Sequence, residues 1–312
     1  KQDYLTTLIE LDPSGNKNCE IVGSMVDYVP VEKNNQPLIN AITDYRIRIV
    51  SLTVTEGGYF IDSRSGLLDI DHEEILRDIK HPKDPQTVFG AIVKALRIRK
   101  ENSYGPITCL SCDNLIKNGE KLKQAILGIA QNIDKELSTW IEEKCTFPNS
   151  MVDCIVPRTG ERELSLVKKI GIIDEAPVVH ENFRQWVVED NFCVGRPQWE
   201  EVGVQFSSQV HKYEDQKIRI LNAGHQIIAN AGELLGINTI DKALEHKGIL
   251  SMFEKVTKEE IIPHIDPLPD LSPSDYYQLI LNRFSNPEIK DTVRRVAFDG
   301  SSRHSIFIVP SI

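Results

Sequence analysis

Residues 45–54 read YRIRIVSLTV, and residues 55–59, TEGGY, follow directly. The β-branched and apolar residues of the first segment predict a buried strand, and the two glycines of the second permit a tight turn at its end. Residues 85–100 carry apolar side chains at helical spacing, and residues 106–112, PITCLSC, predict another short strand. Strand, helix and strand in this order form the βαβ unit of a parallel sheet.

The remainder of the chain divides into two parts by pattern. Apolar residues three or four apart in residues 120–143 predict one amphipathic helix that packs on the sheet. From about residue 213 onward the patterns are helical, with a break in the proline-rich residues 263–275. We therefore predict an α/β fold in which a parallel-sheet domain, residues 1–207, precedes a mainly α-helical domain, residues 208–312.

The composition excludes several classes of function. The chain has 312 residues, of which 40% are hydrophobic and 26% charged, which is the balance of a soluble globular protein. Its formal net charge of -10 argues against nucleic acid as a partner, because phosphate binding depends on lysine and arginine. No apolar run approaches the roughly 20 residues that span a bilayer, and the N-terminus has no signal-peptide pattern. We therefore expect no membrane partner and a cytoplasmic location.

The six cysteines predict reduced thiols, since they are too few and too scattered to cross-link a chain of this length. Cys109 and Cys112 have the C-x-x-C spacing of a metal site, but no second Cys or His pair follows at a zinc-ribbon distance. We therefore predict no metal site, and we interpret the two thiols as small apolar residues at the end of a buried strand.

Residues 213–225, YEDQKIRILNAGH, predict a helix with its polar groups on one arc. With about 100° per residue and Lys217 at zero, Glu214 falls at about 60° and His225 at about 80°. Asn222 follows at about 140° on the same wheel. The lysine, the amide and the imidazole are therefore predicted to lie near one another.

A lysine beside an amide and an imidazole suits the oxidation of an alcohol. A lysine that is desolvated near a second cation has a lowered pKa, so it could accept the proton of an alcohol. Amide donors could hold the developing alkoxide, and a carboxylate one turn away could pass the proton to water. A solvated helix face has the same spacing, so the pattern alone does not decide between the two interpretations.

Four positions on this helix do not fit a simple polar arc. Ile218, Leu221 and Ile228 are apolar exceptions that fall within it. Gly224 leaves space beside it, which we interpret as room for the approach of a ligand or of backbone.

Seven motifs, spread over nearly the whole chain, carry a family resemblance. They are TVTEGGY (53–59), SCDNLIKNG (111–119), FPNSMVD (147–153), QWVVEDNF (185–192), GRPQWEEVGVQF (195–206), YEDQKIRILNAGH (213–225) and DGSSR (299–303). In order and spacing they resemble the polyol-specific long-chain dehydrogenases, also called the mannitol dehydrogenase family. The resemblance implies a zinc-independent enzyme that uses NAD, or NADP, to interconvert sugar alcohols and ketoses, or sugar acids and keto-uronates.

The resemblance implies catalytic roles for five residues. Lys217 would be the general base in alcohol oxidation and the general acid in ketone reduction. Asn114 and Asn222 would donate amide hydrogen bonds to the reacting oxygen. His225 would bind a neighbouring hydroxyl, and Glu214 would pass the proton to water.

The same resemblance implies contacts with substrate and cofactor. Asp153, Arg295 and Arg303 would hold the outer hydroxyls of the substrate, the last standing where relatives often have lysine. A helix cap or turn is the alternative role for Asp153, and a plain surface charge is the alternative for Arg295. Thr55 and Glu56 would lie against the nicotinamide of the cofactor, and the glycines after them would allow close approach.

The sequence departs from the family pattern in two ways. Cys154 stands where the family motif has arginine, which would alter the contacts nearby. No G-x-G-x-x-G is present, although the family begins with a strand, glycine loop and helix that cradle the cofactor pyrophosphate. We therefore expect an incomplete Rossmann-like domain, in a chain that lacks both ends of a longer enzyme that is a monomer when complete.

Three hypotheses about function follow. The first is an NAD-dependent polyol dehydrogenase that acts at the 2-position of a mannitol-like or fructose-like sugar by hydride transfer, with NADP as an alternative cofactor. The two arginines could equally pair with a carboxylate, which keeps a fructuronate or tagaturonate reductase as the enzymatic alternative. The absent glycine loop supports a hypothesis of another class, a non-catalytic remnant that binds sugar or a partner chain.

Overall fold

The computed structural model describes residues 5–31, 35–62, 65–268, 271–298 and 300–309. The strands in these ranges are β1 (Thr6–Leu11), β2 (Lys17–Val22), β3 (Ile49–Leu52), β4 (Thr108–Ser111), β5 (Ser150–Asp153), β6 (Val178–Glu181), β7 (Gln185–Val188) and β8 (Gln205–Phe206). The α-helices are α1 (Gln36–Thr43), α2 (Glu73–Lys80), α3 (Val88–Glu101), α4 (Asn118–Ile133), α5 (Lys135–Lys144), α6 (Glu161–Lys169), α7 (Val210–Gln216), α8 (Ala223–Leu234), α9 (Ile240–Glu245), α10 (Lys247–Lys255), α11 (Pro273–Phe284), α12 (Val293–Ala297) and α13 (Gly300–Phe307). Tighter 3-10 turns occupy Glu56–Tyr59, Trp199–Val202 and Ile262–His264, and wider π-helical turns occupy Lys217–Asn222 and Val256–Ile261.

The chain divides into two compact units, each discontinuous in sequence. The helical unit comprises Lys1–Asp27, Asp153–Arg184 and Lys212–Ile312, and the sheet unit comprises Tyr28–Val152 and Gln185–His211. Residues 1–27 and 153–184 therefore group with the helices of the last third, because β1 and β6 contribute to the same apolar core as those helices. A domain boundary between residues 207 and 208 stays a prediction.

The sheet unit contains the predicted βαβ arrangement. Strands β3 and β4 pair in parallel, with Ile49 opposite Thr108 and Leu52 opposite Ser111. Helix α3 lies between them in sequence, and Thr87 caps it by accepting a hydrogen bond from the backbone N–H of Gly90 at 3.0 Å. The prediction of an α/β fold with parallel strand pairing is confirmed.

The single helix predicted over residues 120–143 is wrong, because the chain breaks it at Asp134. This residue has extended backbone, with φ -163° and ψ 110°, and it ends α4. Its carboxylate accepts hydrogen bonds from the backbone N–H groups of Glu136 and Leu137 at 3.0 and 3.1 Å. Asp134 therefore caps the first turn of α5, where a carboxylate also complements the helix dipole.

The helical unit is built on a small sheet and a larger set of helices. Strand β1 pairs antiparallel with β2 and parallel with β6. Ile9 and Leu11 of β1 are buried in one apolar cluster with Phe253 and Tyr277 of the helices. The prediction that the last third is mainly helical is confirmed. Within the part of the chain that the structure describes, no helix has both the length and the apolar character needed to cross a membrane.

Helices α7 and α8 are joined without a break by the π-helical turn Lys217–Asn222. The backbone N–H of Ala223 bonds to the carbonyl of Ile218, five residues earlier. Such a turn holds an extra residue, so later positions rotate by roughly 100° from an ideal wheel. The predicted angle of His225, which follows this turn, is therefore wrong. Ile218 and Leu221, which the helical wheel placed among the polar groups, lie within the turn and are buried in the core.

Gly224 does not provide room for a ligand. A Cβ atom at this position would lie 2.5 Å from Cε2 of Phe253 and 3.4 Å from Cε2 of Phe284. The glycine therefore lets two core rings pack against α8, and the earlier interpretation is wrong.

Candidate functional site

The π-helical turn begins with a buried lysine. Lys217 is 6% exposed, and Glu214, one turn earlier on α7, is 3% exposed. The interpretation of this segment as a solvated face is therefore wrong for both charged residues, since such groups are almost never buried without a partner or a function. Asn222 ends the π-helical turn, and its half-buried side chain has an Oδ1 atom that accepts no hydrogen bond from the described residues. Because π-helical turns occur frequently at functional sites, this geometry favours a site here.

His225 follows on α8 and lies flat against an aromatic ring. Its imidazole stacks on Phe284 with ring centroids 4.1 Å apart and an interplanar angle of 17°. Burial lowers the pKa of His225 to about 3, and the positive charges of Arg295, Arg283, Arg303 and Lys217 act in the same direction. The imidazole is therefore neutral near pH 7, and its buried Nε2 atom has no hydrogen-bond partner among the described residues.

Two arginines from the C-terminal helices place positive charge near this imidazole. Arg295 donates from Nε and Nη2 to the carboxylate of Asp291, at 2.8 and 2.5 Å. Asp291 Oδ2 also lies 3.9 Å from Nε2 of His225. Arg303 donates from Nη1 to the carbonyl of Val296 at 3.1 Å. The structure therefore brings Arg295, Arg303 and His225 into one electrostatic neighbourhood.

Asp153 forms a buried ionic cluster. Arg283 donates from Nη1 and Nη2 to its two oxygens, both at 2.8 Å, and donates from Nε and Nη2 to Glu181 at 2.9 and 2.6 Å. The hydroxyl of Tyr276 donates to Asp153 at 3.3 Å, and the ring centroid of Phe183 lies 4.1 Å from Cζ of Arg283. The contacts of Asp153 that the structure describes are therefore internal, and a contact with substrate stays a prediction.

Cys154 lies beside this cluster, at the position where the sequence departs from the family motif. Burial raises the pKa of its thiol to about 12, and the nearby carboxylates of Glu181 and Asp153 act in the same direction. The thiol is therefore protonated and a poor nucleophile at neutral pH.

The other predicted residues lie in the sheet unit, at the carboxyl ends of β3 and β4. Asp113 follows β4, and its carboxylate accepts from the backbone N–H groups of Val54 and Thr55 at 3.2 and 2.8 Å and from the hydroxyl of Tyr59 at 2.8 Å. Thr55 is exposed, with φ 68° and ψ 164°, a backbone region that is essentially restricted to glycine. Asn114 is half-buried directly after Asp113. The side chain of Glu56 lies outside the described residues.

Of the two cysteines of the C-x-x-C segment, Cys109 lies in β4 and Cys112 directly follows that strand. Cys109 is fully buried within β4, and burial raises its pKa well above the ordinary value for a thiol. Burial likewise raises the pKa of Cys112 to about 11. In the described ranges no group of three or more His, Cys, Asp or Glu side chains is arranged to hold a metal ion. Independence of metal stays a prediction.

Sequence reasoning missed three residues that organise these groups. Asp291 stands four positions before Arg295 in the last helical region, a local spacing that could have indicated the pair. Arg283 and Asp113 contact residues that are far away in sequence, at separations of 130 for the Arg283 and Asp153 pair and 58 for the Asp113 and Thr55 pair. No pattern in the sequence pointed to either contact.

Comparison with known proteins agrees with the motifs. Residues 1–201 match the family model described as mannitol dehydrogenase Rossmann domain, and residues 209–312 match that of the mannitol dehydrogenase C-terminal domain. A mannitol 2-dehydrogenase of Cereibacter sphaeroides is 51% identical over 311 residues, which are 100% of this chain and 65% of the relative. A polyol:NADP oxidoreductase of Gluconobacter oxydans is 39% identical, over 98% of this chain and 63% of the relative.

A solved structure matches over the same extent. The ternary complex of Pseudomonas fluorescens mannitol 2-dehydrogenase with NAD and D-mannitol has a TM-score of 0.95 and 40% identity, and the match covers 99% of this chain and 63% of that one. The present chain thus spans just under two thirds of the length of these relatives. The predicted class, a Rossmann-like domain followed by a mainly helical domain, is confirmed. Both family models together cover nearly the whole chain, which therefore belongs to the mannitol dehydrogenase family.

Proposed function

We propose that this chain belongs to an NAD-dependent polyol dehydrogenase that interconverts a sugar alcohol and a ketose, as in mannitol and fructose, with NADP as an alternative cofactor. The observation that carries the proposal is the helix through residues 210–234, which carries Asn222, His225 and a buried Lys217 whose charge acts on His225. The polyol activity of two relatives, as their names state it, supports the same substrate class. We further propose a cytoplasmic enzyme that needs no metal ion.

Lys217 is proposed as the acid and base of the reaction. In alcohol oxidation its neutral amine takes the proton from the substrate hydroxyl, and in ketone reduction its ammonium returns that proton. A buried position suits this role, because bulk water does not compete with the substrate hydroxyl for the lysine amine. Glu214, buried one turn away, is proposed to pass the proton on to water.

The amides and the imidazole are proposed to orient the substrate. Asn222 and Asn114 would donate hydrogen bonds to the reacting oxygen and so stabilise the charge that develops on it. A neutral His225 offers one donor and one acceptor, which suits recognition of a neighbouring hydroxyl. Arg295 and Arg303 would hold outer hydroxyls, and Asp153 is proposed for the same task although the structure describes it within an ionic cluster.

Residues of the sheet unit are proposed to contact the nicotinamide of the cofactor. Thr55 is exposed, and a Cβ atom at Gly57 would meet no heavy atom within 4 Å, so this turn leaves space for a ligand to approach. Asp113 fixes the turn by accepting from two of its backbone N–H groups. We propose that Thr55 and Glu56 lie against the nicotinamide. When bound, the nicotinamide ring supplies the acceptor or donor of the hydride.

The enzymatic alternative is a fructuronate or tagaturonate reductase. The positive charges of Arg295, Arg303, Arg283 and Lys217 that act on His225 favour this alternative, because a substrate carboxylate would be attracted to them. The carboxylates that pair with Arg295 and Arg283 weaken this argument. We therefore favour a neutral sugar.

A titration with NADH and a substrate panel test the proposal. Nicotinamide fluorescence should report saturable NADH binding, and reduction rates should be measured with fructose, xylulose, fructuronate and tagaturonate in the presence of NADH or NADPH. We expect the highest kcat/KM with fructose. A preference for fructuronate or tagaturonate would replace the proposal with the alternative. A folded chain that neither binds NADH nor reduces any sugar would support the non-catalytic hypothesis.

A further inference from the structure

The carboxylate of Asp291 pairs with a candidate substrate-binding arginine and lies near a candidate substrate-binding histidine. It accepts two hydrogen bonds from Arg295 and lies 3.9 Å from Nε2 of His225. Its side chain is 5% exposed, whereas that of Arg295 is 45% exposed. Asp291 therefore contacts the buried side of the arginine side chain, and part of that side chain remains exposed to solvent.

The backbone holds this carboxylate in place. The backbone N–H of Ile240, at the start of α9, donates to the carbonyl of Asp291 at 3.0 Å. The next residue, Thr292, forms an isolated antiparallel bridge with Thr239 and caps α12 by accepting from the N–H of Arg295. Asp291 is therefore positioned by contacts on both sides, and Arg295 follows one turn later on the helix that this cap starts.

The paired guanidinium has limited capacity for a second carboxylate. A guanidinium group carries five N–H donors, and Asp291 uses two of them in the two-pronged arrangement that a carboxylate prefers. The remaining donors can each hydrogen-bond a neutral hydroxyl. A substrate carboxylate would have to share the cation with Asp291, and two carboxylates around one cation repel each other.

We propose that Asp291 determines the substrate class, by engaging Arg295 so that neutral polyols and ketoses are accepted in preference to sugar acids. This inference rests on the proposed function, because it assumes that Arg295 and His225 face the sugar. Burial raises the pKa of Asp291 above its ordinary value, while the charges of Arg295 and Arg303 act in the opposite direction. The binding tests below are therefore made at pH 8, because a higher pH favours the ionised carboxylate.

Equilibrium binding of fructose and of fructuronate by calorimetry tests the proposal. We expect Asp291→Asn to raise the ratio of fructuronate affinity to fructose affinity by about tenfold or more, since it removes one negative charge beside the arginine. Asp291→Glu should return the ratio toward that of the wild type. Glu233→Gln is the matched control, because it removes a carboxylate that pairs at the surface with the neighbouring Arg294, and it should leave the ratio unchanged.

A second variant keeps the test independent of the folding of Asp291→Asn. Arg295→Gln leaves the carboxylate without its cation, so the same ratio should fall by about tenfold relative to the wild type. Circular dichroism and thermal denaturation identify which variants are folded. A ratio that changes in neither variant, or a folded wild type that binds neither sugar, would overturn the proposal.

Failure of this inference can be distinguished from failure of the proposed function. The proposed function fails if the wild type oxidises no NADH with any sugar, whatever the binding ratio. The inference fails if the wild type reduces fructose and the fructuronate to fructose ratio does not respond to the change at Asp291. A purely structural role of Asp291 would weaken the binding of both sugars together and leave their ratio constant, which would also overturn it.

Discussion

His225 and Phe284 stack face to face, with ring centroids 4.1 Å apart and planes inclined by 17°. The stack removes the imidazole from water while positive side chains lie nearby. Burial is the main cause that lowers the pKa of His225 to about 3 from the 6.5 of an unperturbed histidine. The proposed hydroxyl ligand is therefore an uncharged imidazole throughout the physiological pH range.

This shift predicts how stability depends on pH. Below pH 6.5 the unfolded chain binds a proton at His225 that the folded chain does not bind, so the free energy of unfolding falls as the pH falls from 6.5 toward 3. Between pH 6.5 and 5 we expect this one residue to account for about 2 kcal/mol. Urea unfolding of the wild type and of His225→Asn at several pH values measures the effect.

The difference in the free energy of unfolding between the wild type and His225→Asn isolates the contribution of the histidine, because all other titrating groups are common to both. The stability advantage of the wild type over His225→Asn should shrink as the pH is lowered through that window. A difference that stays constant from pH 7.5 to 5 would show that His225 titrates alike in the folded and unfolded chains.

The ionic cluster around Arg283 predicts a large loss of stability on its removal. Arg283→Met would leave Asp153 and Glu181 buried without their cation, and breaking such a pair costs about 3–5 kcal/mol. Arg46→Met is the matched control, since Arg46 pairs with Asp44 at the exposed surface and should have little effect on stability. Equal destabilisation by both variants, measured by denaturant unfolding, would contradict this account of the cluster.

The backbone of Thr55 predicts that a glycine there is stabilising. A non-glycine residue in this region of φ and ψ carries a strain of about 1–3 kcal/mol, and Asp113 holds the turn in that conformation. Thr55→Gly should relieve more strain than the roughly 0.5–1 kcal/mol that glycine costs through the entropy of the unfolded chain. Thr53→Gly, at a position without positive φ, should be destabilising. A lower free energy of unfolding for Thr55→Gly than for the wild type, measured by denaturant unfolding, would contradict backbone strain at Thr55.

Local patterns predicted much of the fold, because they depend on residues close together in sequence. The βαβ order followed from the apolar runs of residues 45–54 and 106–112 and from the helical spacing between them. The break at Asp134 was missed because apolar residues continue at helical spacing on both sides of it. Aspartate is nevertheless a residue type that favours the start of a helix. The capping preference of aspartate was therefore the better local signal there.

Features that depend on tertiary packing could not be predicted from the sequence. The π-helical turn at Lys217 has ordinary helix-forming residues, and no local pattern distinguishes it from an α-helix. The role of Gly224 depends on Phe253 and Phe284, which come from other helices. The family resemblance supplied the candidate site residues, but the contacts of Asp291 and Arg283 required the folded chain.

The rate of NAD-dependent mannitol oxidation by Lys217→Ala tests the central claim most directly. Loss of the general base should lower kcat by at least the roughly 10²- to 10⁴-fold that such a group contributes. Lys212→Ala, which removes a half-buried lysine from the preceding turns of the same helix, serves as the control and should retain the wild-type rate. A wild-type rate for Lys217→Ala would contradict the assignment of this lysine as the acid and base.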